Sequence, residues 1–497
     1  MTLASVPVSR QPISKLEGIV GEYRWRRLLH TAHDFREHFK DRVIWNVSST
    51  ATGGGVAEML RTLVGYVQDL EIDSRWSVIS GEPEFFRVTK RLHNRIHGQP
   101  GDTGALGIGE DTIYREVALT NAAALSSRIS PGDLVILHDP QTAGLTSPLQ
   151  RLGARVLWRC HIGTEQRNGY TREAWQFLRP HLASAEGFIF SRRQYVPDWV
   201  DPAKVWIIPP SIDPFSVKNQ DLDEATVVAI LHRIGVLAEP GMGAGPDRAA
   251  TGAGRDAGRG AGAGSGTVAA PRFTRRDGSQ GEVVRPALVT AHRLPHPGEQ
   301  VVVQVSRWDR LKDMAGVMRG FTEHVAPASP GYLMLVGPAV SGVADDPEGA
   351  EVYADCLDSW RRLPRSAVER VALVTLPLED VDENAAMVNA IQRYASVLVQ
   401  KSLAEGFGLT VAEGMWKRRP VVGAAVGGIR DQLAEGSGIL LPDPTDLAAF
   451  GRAVRHLLDN PELAERLGTS AREYVRAHFV GDVHLIRYAQ MFTALFV

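Results

Sequence analysis

The stretch "ASVLVQKSLAEGFGLTVAEGMWKRRPVVGAA", residues 395–425, contains in order a strand pattern, a loop, a helix pattern and a second strand pattern. The two strand patterns, 395–402 and 419–425, are short runs rich in Val, bounded by polar or glycine-bearing segments. A strand followed by a crossover helix and another strand predicts a parallel sheet. The same stretch carries Glu405 on the loop and Glu413 in the first turns of the helix, on the side where the strands end.

The same alternation of strand and helix patterns runs through both halves of the chain. In the first half, strands are predicted at 42–49, 133–139, 155–161, 187–193 and 204–210. In the second half, they are predicted at 300–307, 331–338, 370–377, 395–402, 419–425 and 438–443. The predicted fold class is α/β, with two doubly wound Rossmann-like domains facing a cleft. Ligands are expected outside the carboxyl ends of the strands.

A segment of unusual composition separates the two halves. Residues 238–296 are rich in Gly, Ala, Arg and Pro and poor in large apolar side chains, so they cannot bury enough surface to offset their ordering entropy. They are predicted to form a flexible insertion between a first domain, 1–237, and a second domain, 297–479. The last helical pattern is interrupted at Gly481, and the final helix, about 480–497, could cross back to pack on the first domain.

Composition bounds the function. The chain has 497 residues and a formal net charge of -2, which suggests two or three domains and gives no reason to expect nucleic acid or an anionic membrane as a partner. The two cysteines, Cys160 and Cys356, match no metal or redox spacing; buried thiols are expected, with a single disulfide as the alternative. Signal-peptide and membrane-helix patterns are lacking, so we expect a cytoplasmic protein.

A glycine-rich turn opens the first predicted helix. In "NVSSTATGGGVAEMLRTLVGYV", residues 46–67, a strand pattern ends in polar residues and Gly54 and Gly55 lead into a helix whose N-terminus could hold a phosphate. A tight strand-to-helix turn is an equal alternative. Asp73 lies at the distance of a ribose-binding acid in dinucleotide sites, but Glu58 stands where the third glycine should be. A nicotinamide dinucleotide site is therefore rejected.

Two cations follow a strand in the second half. In "VSRWDRLKDMAGVMRGF", residues 305–321, Arg307 comes directly after the strand and Lys312 precedes a helix pattern. A planar guanidinium and a mobile ammonium at one strand end suit a diphosphate. The alternative is a solvated basic loop.

Polar residues end a buried strand in the first half. In "LHDPQTAGL", residues 137–145, His138, Asp139 and Gln141 could face the cleft and hydrogen-bond sugar hydroxyls. A histidine with a structural role is the alternative.

The two glutamates also have two interpretations. Thr410 could cap the helix of the opening stretch, which places Glu405 on the loop before it and Glu413 inside it. Both could grip ligand hydroxyls. Carboxylates near a helix N-terminus are also favoured by the helix dipole, so a structural role for Glu413 stays open.

These motifs together resemble the retaining GT-B enzymes of glycosyltransferase family 4. The resemblance rests on the spacing of Glu405 and Glu413, with seven residues between them, on Arg307 and Lys312 upstream, and on the glycine-rich loop. Within the family, "WNVSSTATGGGVAEML", "HDPQTAGL", "WRCHIG" and "IIPPSIDP" are similar to segments of the trehalose synthases that transfer glucose from a nucleoside diphosphate (NDP) sugar. The resemblance covers about 40–237 and 297–497.

The resemblance implies an activity and a set of roles. The activity is reversible, retaining transfer of glucose from NDP-glucose to glucose, which makes α,α-trehalose and needs no metal or other cofactor; a homodimer is compatible with it. The implied catalytic residues are His138, Arg307, Lys312 and Glu405. The implied donor and nucleotide contacts are Gly54, Gly55, Gly406, Phe407, Gly408, Leu409 and Glu413, and the acceptor contacts are Asp139 and Gln141. Glu405 would hold sugar hydroxyls and Glu413 the ribose, while His138 would contact the donor glucose near C6.

Three other functions remain open at this point. A trehalose phosphorylase would use phosphate in place of the nucleotide diphosphate and would not need Glu413 for a ribose. A family 4 glucosyltransferase with another acceptor would share all the donor motifs. A catalytically silent sugar-nucleotide sensor would bind NDP-glucose without turnover, and the intact set of predicted catalytic residues argues against it.

Overall fold

The computed structural model describes residues 3–51, 54–239, 269–340 and 347–497, and it has two parallel sheets. The strands of the first sheet are β1 (Ala4–Ser5), β2 (Ile44–Ser48), β3 (Ser74–Val78), β4 (Leu134–His138), β5 (Arg155–Cys160), β6 (Gly187–Phe190) and β7 (Val205–Ile207). Their order is β1-β3-β2-β4-β5-β6-β7. The short β1 pairs antiparallel with β3, and the other neighbours are parallel.

The second sheet lies in the second half of the chain. A hairpin of β8 (Arg272–Thr274) and β9 (Gln280–Glu282) precedes it. Its strands are β10 (Leu288–Thr290), β11 (Val301–Val305), β12 (Tyr332–Pro338), β13 (Val371–Leu376), β14 (Val397–Gln400), β15 (Val421–Ala424) and β16 (Ile439–Leu441). Their order is β10-β13-β12-β11-β14-β15-β16, and β10 alone among the described neighbours is antiparallel.

Helices cover both sheets. Those of the first half are α1 (Glu17–Val20), α2 (Glu22–His38), α3 (Gly54–Asp69), α4 (Pro83–Ile96), α5 (Ile108–Leu125), α6 (Thr146–Arg151), α7 (Gly169–Leu182) and α8 (Glu224–Arg233). Those of the second half are α9 (Met314–His324), α10 (Pro347–Arg361), α11 (Arg365–Val368), α12 (Val381–Tyr394), α13 (Leu409–Trp416), α14 (Ile429–Gln432), α15 (Leu447–Leu458), α16 (Pro461–His478) and α17 (Gly481–Phe496). Side chains of Asp313, Asp380 and Asp446 accept backbone N–H groups at the starts of α9, α12 and α15.

The predicted strands of both halves and the two Rossmann-like domains are confirmed. Every residue of β4 and of β13 is buried, as expected for parallel strands that are covered by helices on both faces. β3 was not predicted from the sequence. Its segment "SRWSV" has few branched residues, although its Trp76 side chain is buried.

The direction of the strand order changes at one point in each sheet, between β2 and β4 in the first and between β11 and β14 in the second. Chain segments that leave such a pair of strands diverge to opposite faces and open a crevice for ligands. Gly54 lies after β2 and His138 ends β4, while Arg307 and Glu405 follow β11 and β14. The predicted site residues therefore lie at the two switch points.

The domain boundary differs from the sequence prediction. Residues 212–237 pack in the core of the second domain, where Val227, Ile230 and Leu231 of α8 are buried with residues of α12. Residues 269–296, which were assigned to the flexible insertion, form the hairpin and the edge strand β10. Phe273 and Val283 are buried in the same core, which explains why this part is structured despite its composition. The remainder of the insertion, residues 240–268, lies outside the described residues.

The last helix crosses back to the first domain, as predicted. The chain leaves α16, and α17 packs against α2. The ring of Phe492 lies 5.8 Å from that of Phe35 and 6.2 Å from that of Phe39, in edge-on geometry. The crossing helix thus completes the core of the domain that contains the N-terminus.

Two smaller expectations can be compared with the structure. Cys160 and Cys356 are both free and buried, which confirms the thiol prediction and excludes the disulfide alternative. Within the described ranges, no helix is long and apolar enough to cross a membrane.

Phe492→Ala should destabilise the first domain by about 3–5 kcal/mol, because it leaves a cavity between α2 and α17. Differential scanning calorimetry would measure the loss. Tyr23→Ala is the control: Tyr23 lies on α2 and is 80% exposed, so its loss of stability should stay within about 0.5 kcal/mol. Equal losses for the two variants would contradict the packing of α17 on this domain.

Candidate active site

Lys312 and Glu405 form an ion pair across the switch point of the second domain. Lys312 ends a short 3-10 turn after β11, and Glu405 lies on the loop after β14. The Nζ atom of Lys312 is 2.5 Å from Oε2 of Glu405, and both side chains are largely buried. Arg307 is half exposed, and its guanidinium donates to Asp309 at 3.1 Å. The structure thus pairs Lys312 with the first glutamate predicted from the sequence, and Arg307 lies on the same segment after β11.

The loop of Glu405 is held by residues from both domains. Tyr195 of the first domain donates its hydroxyl to the carbonyl oxygens of Gly406 at 2.7 Å and of Glu405 at 3.1 Å. The Gln432 amide donates to the carbonyl oxygen of Phe407. Gly408 has a φ of 85°, a left-handed conformation that favours glycine, and it precedes α13.

Thr410 does not cap this helix, contrary to the sequence prediction. Its hydroxyl donates to Gln400 Oε1 at 3.1 Å, and the N-terminal flanking position is occupied by Gly408. The helix begins two residues earlier than a Thr410 cap would give, because the left-handed Gly408 turns the chain directly into it.

The glycines predicted at the site allow the two domains to approach closely. A β-carbon on Gly55, near the start of α3, would lie 2.7 Å from the Cδ1 atom of Leu409. A β-carbon on Gly406 would lie 2.9 Å from the carbonyl oxygen of His161. Gly54 is the first residue of α3. Larger side chains at Gly55 or Gly406 would therefore push the domains apart.

Glu413 lies in a charged cluster between the domains. It is buried on α13, and its Oε1 atom is 3.4 Å from Nζ of Lys218, which also contacts Glu58 of α3 at 2.6 Å. Burial alone would lower the pKa of Lys218, but the carboxylates of Glu413 and Glu58 outweigh burial and raise it. Burial lowers the pKa of the nearby Lys417 to about 7. Glu58 and Glu413, with Asn219 and Leu409, line a small cavity between α3 and α13.

His138 is buried at the end of β4. Its Nδ1 atom is 3.0 Å from Nε2 of His161, and its Nε2 atom is 3.2 Å from Oδ1 of Asn46 on β2. Burial, followed by the charge of Arg159, holds the pKa of His138 well below its usual value. Both ring nitrogens are thus engaged by protein atoms, and a contact of this ring with the donor sugar stays a prediction.

Asp139 and Gln141 follow His138. Asp139 has a φ of 64°, and its carboxylate accepts the backbone N–H of His161 at 2.8 Å. Burial raises the pKa of Asp139 to about 7. The Oε1 atom of Gln141 is buried without a hydrogen-bond partner among the described residues. An acceptor hydroxyl could satisfy that oxygen.

Two histidines of α4 and its C-terminal cap face the ion pair and were not predicted. The rings of His93 and His97 are 5.1 Å apart. Burial lowers the pKa of His97 to about 4, although the charge of Glu405 opposes it. Burial also lowers the pKa of His93, and the charges of Arg307 and Lys312 contribute.

Other residues at the site were also missed by sequence reasoning. They are Asn46, Arg159, His161, Tyr195 and Lys218. Arg159 and His161 carried a signal, because "RVLWRCH" places polar side chains inside an otherwise apolar strand pattern. Lys218 and Tyr195 carried none, since they lie in irregular segments. Among the described residues, no group of three or more His, Cys, Asp or Glu side chains could hold a metal ion.

Known proteins resemble the chain at the level of both sequence and fold. A family model described as "Trehalose synthase, N-terminal domain" matches residues 46–197, and one described as "Glycosyl transferases group 1" matches residues 381–474. The trehalose synthase of Pyrococcus horikoshii is 32% identical over 98% of this chain and 97% of its own length. The trehalose phosphorylase of Pleurotus pulmonarius is 24% identical, over 92% of this chain and 57% of its own length.

A similar fold is found in a solved structure, a UDP-forming α,α-trehalose-phosphate synthase from Burkholderia vietnamiensis. Its TM-score is 0.62 at 14% identity, over 92% of this chain and 99% of the other. Two Rossmann-like domains with a cation and carboxylate cluster between them define a glycosyltransferase of the GT-B class. The chain belongs to the trehalose synthase family within that class, since the similarity to the Pyrococcus horikoshii enzyme spans nearly all of both chains. Trehalose-related transfer of a hexose follows from this membership.

Asp139→Asn should gain stability relative to the wild type as the pH rises from 5 to 8. The raised pKa of Asp139, about 7, means that its contribution to stability is fully present below the unfolded pKa of about 4 and is lost as the pH rises through 7. Asn keeps the carbonyl oxygen for the His161 N–H and tolerates the left-handed backbone. Each kcal/mol gained should raise the Tm by about 2–4 °C, measured by thermal unfolding at several pH values.

Asp443→Asn is the control for this experiment. Hydrogen bonds from Thr445 hold the pKa of the Asp443 carboxyl below its usual range, so the difference between that variant and the wild type should be constant between pH 5 and 8. A constant difference for Asp139→Asn as well would contradict the raised pKa.

Proposed function

We propose that the protein transfers glucose from NDP-glucose to glucose with retention at the anomeric carbon, making α,α-trehalose without a metal. The observation that carries the proposal is the contact of Lys312 with Glu405 beside Arg307 at the switch point of the second sheet. The near full-length similarity to a trehalose synthase supports the choice of product.

The charges of the site suit departure of a nucleoside diphosphate. As the bond from the anomeric carbon to the diphosphate breaks, negative charge grows on the leaving oxygen. Lys312 and Arg307 can stabilise that charge, which is the largest contribution that a site without a nucleophile can make. The leaving diphosphate takes the proton of the acceptor hydroxyl, which attacks from the same face. Glu405 accepts hydroxyls of the donor sugar and fixes its orientation.

Glu413 supports a nucleotide rather than inorganic phosphate. Its buried carboxylate can accept both hydroxyls of a ribose, and Lys218 is the nearby cation in contact with it at 3.4 Å. A second carboxylate, Glu58, lies on the same lysine. Two carboxylates and one firmly charged ammonium repel a phosphate ion but accept hydroxyl donors.

The direct test is an activity assay on purified protein. Glucose is incubated with UDP-, ADP- or GDP-glucose, and nucleoside diphosphate and disaccharide are followed by chromatography. Release of nucleoside diphosphate matched by α,α-trehalose supports the proposal and names the base. Formation of glucose 1-phosphate from trehalose and phosphate alone would identify a phosphorylase instead, and turnover only with another acceptor would change the product.

Glu413→Gln should weaken binding of the NDP-glucose that the wild type uses by about tenfold or more, because hydrogen bonds to a charged acceptor are worth about 1.5–3 kcal/mol. Isothermal titration calorimetry measures the affinity. Glu383→Gln is the matched control: Glu383 is buried on α12, and its carboxylate is held by the N–H groups of Val284 and Arg285. Unchanged affinity in Glu413→Gln would exclude the ribose contact.

A further inference from the structure

Arg159 is fully buried in β5, and all five of its N–H donors have acceptors. The Nε atom donates to Nδ1 of His161 at 3.2 Å. The Nη1 atom donates to Nε2 of His484 at 3.3 Å and to the Tyr488 hydroxyl. The Nη2 atom donates to the carbonyl oxygen of Ile208 at 3.1 Å and contacts the sulfur of Met59 at 4.0 Å. Among the described residues, no carboxylate lies within ion-pair distance of this guanidinium.

These contacts fix where the histidine protons lie. Arginine is a donor only, so Nδ1 of His161 must present a lone pair and the proton of that ring is on Nε2. That proton points at Nδ1 of His138, 3.0 Å away. His138 therefore carries its proton on Nε2, which donates to Oδ1 of Asn46 at 3.2 Å. The result is one directional chain from Arg159 through His161 and His138 to Asn46.

The crossing helix closes the other side of the guanidinium. His484 and Tyr488 both lie on α17, and Tyr488 also places its ring 5.4 Å from the guanidinium carbon. Nε2 of His484 accepts from Arg159, so the proton of this ring is on Nδ1. That nitrogen has no hydrogen-bond partner in the described parts of the chain. The contacts of α17 with Arg159 therefore leave one buried N–H donor, on His484, without a hydrogen bond.

This chain of hydrogen bonds extends to the candidate active site. The carbonyl oxygen of His161 packs against Gly406, beside the Glu405 ion pair. The backbone N–H of His161 is held by Asp139 at 2.8 Å. A movement of His161 would therefore displace both Asp139, the predicted acceptor contact, and the backbone that packs against Gly406 on the loop of Glu405.

We infer that Arg159 is a positioning residue, which is held by α17 and fixes His161 and His138 as a neutral hydrogen-bond chain of one direction beneath the cleft. Both nitrogens of His138 are engaged in this arrangement, since Nδ1 accepts from His161 and Nε2 donates to Asn46. The catalytic consequences of this inference rest on the proposed function, but the proton positions do not.

Substitutions at His161 test the direction of the chain. His161→Gln can still accept from Arg159 with its oxygen and donate to His138 with its nitrogen, so kcat should stay within a few fold. His161→Leu can do neither, and kcat should fall by about tenfold to a hundredfold through misplacement of the site. The control is His181→Gln on α7, whose side chain is 7% exposed and contacts Asp111 at 2.8 Å, away from these hydrogen bonds; this variant should change stability only. Equal kcat in the Gln and Leu variants would overturn the inference.

The pH profile of kcat gives a readout that a merely structural arginine would not move. Burial and the charge of Arg159 both hold the pKa values of His138, His161 and His484 below their usual value. The other groups that face these rings are Asn46, Asp139, Arg487, Tyr488 and the rings themselves. Arg159→Met removes the cation, so the histidine pKa values rise and the acid limb of the profile should move to higher pH. An unmoved limb with a lower Tm would assign Arg159 a structural role alone.

Nitrogen NMR of histidine-labelled protein decides the proton positions whether or not the enzyme turns over. His138→Gln and His161→Gln assign the two signals in the full-length wild-type protein. Both rings should be neutral with the proton on Nε2, and Arg159→Met should lose this single form. A proton on Nδ1 of either ring, or a charged ring at neutral pH, would overturn the inference. Absence of trehalose formation together with the expected spectra would reject the proposed function and leave the chain of hydrogen bonds intact.

Discussion

The burial of one guanidinium constrains how the first domain is assembled. A buried cation is costly unless its donors are met, and Arg159 meets them with groups from several separate segments. Met59 comes from α3, Ile208 from the segment after β7, and His484 and Tyr488 from the crossing helix. Removing any one segment would leave donors unpaired, so the last helix belongs to the first domain for electrostatic as well as apolar reasons.

At the switch point of the second domain, a largely buried cation is instead paired directly with a carboxylate. There the charged groups come from neighbouring strands of one sheet, since Lys312 follows β11 and Glu405 follows β14. Their pairing satisfies both charges in a largely buried place. The loop itself is held from the other domain by the Tyr195 hydroxyl. The loop of Glu405 is therefore held in shape by Tyr195 of the first domain, while its charge is balanced by Lys312 of the second domain.

The strands were predictable because parallel strands buried on both faces give uninterrupted apolar runs. The polar ends of these runs located Lys312 and Glu405. The boundary at residue 237 was wrong because composition marks where an unusual segment begins, not where two cores divide, and α8 belongs to the second core through contacts with α12. Arg159 could not be assigned from its own strand, because α17 contacts it from more than 300 residues further along the chain.

Glu58, Lys218 and Glu413 form an ion-pair cluster between the two domains. Glu58 lies on α3 of the first domain and Glu413 on α13 of the second, with Lys218 between them at 2.6 and 3.4 Å. Without the lysine the two carboxylates, of which Glu413 is buried and Glu58 half-buried, would repel each other, so the arrangement depends on this cation. The longer contact, to Glu413, is the weaker one. In the proposed function, ribose hydroxyls that replace this contact would donate to Glu413 while Lys218 stays paired with Glu58.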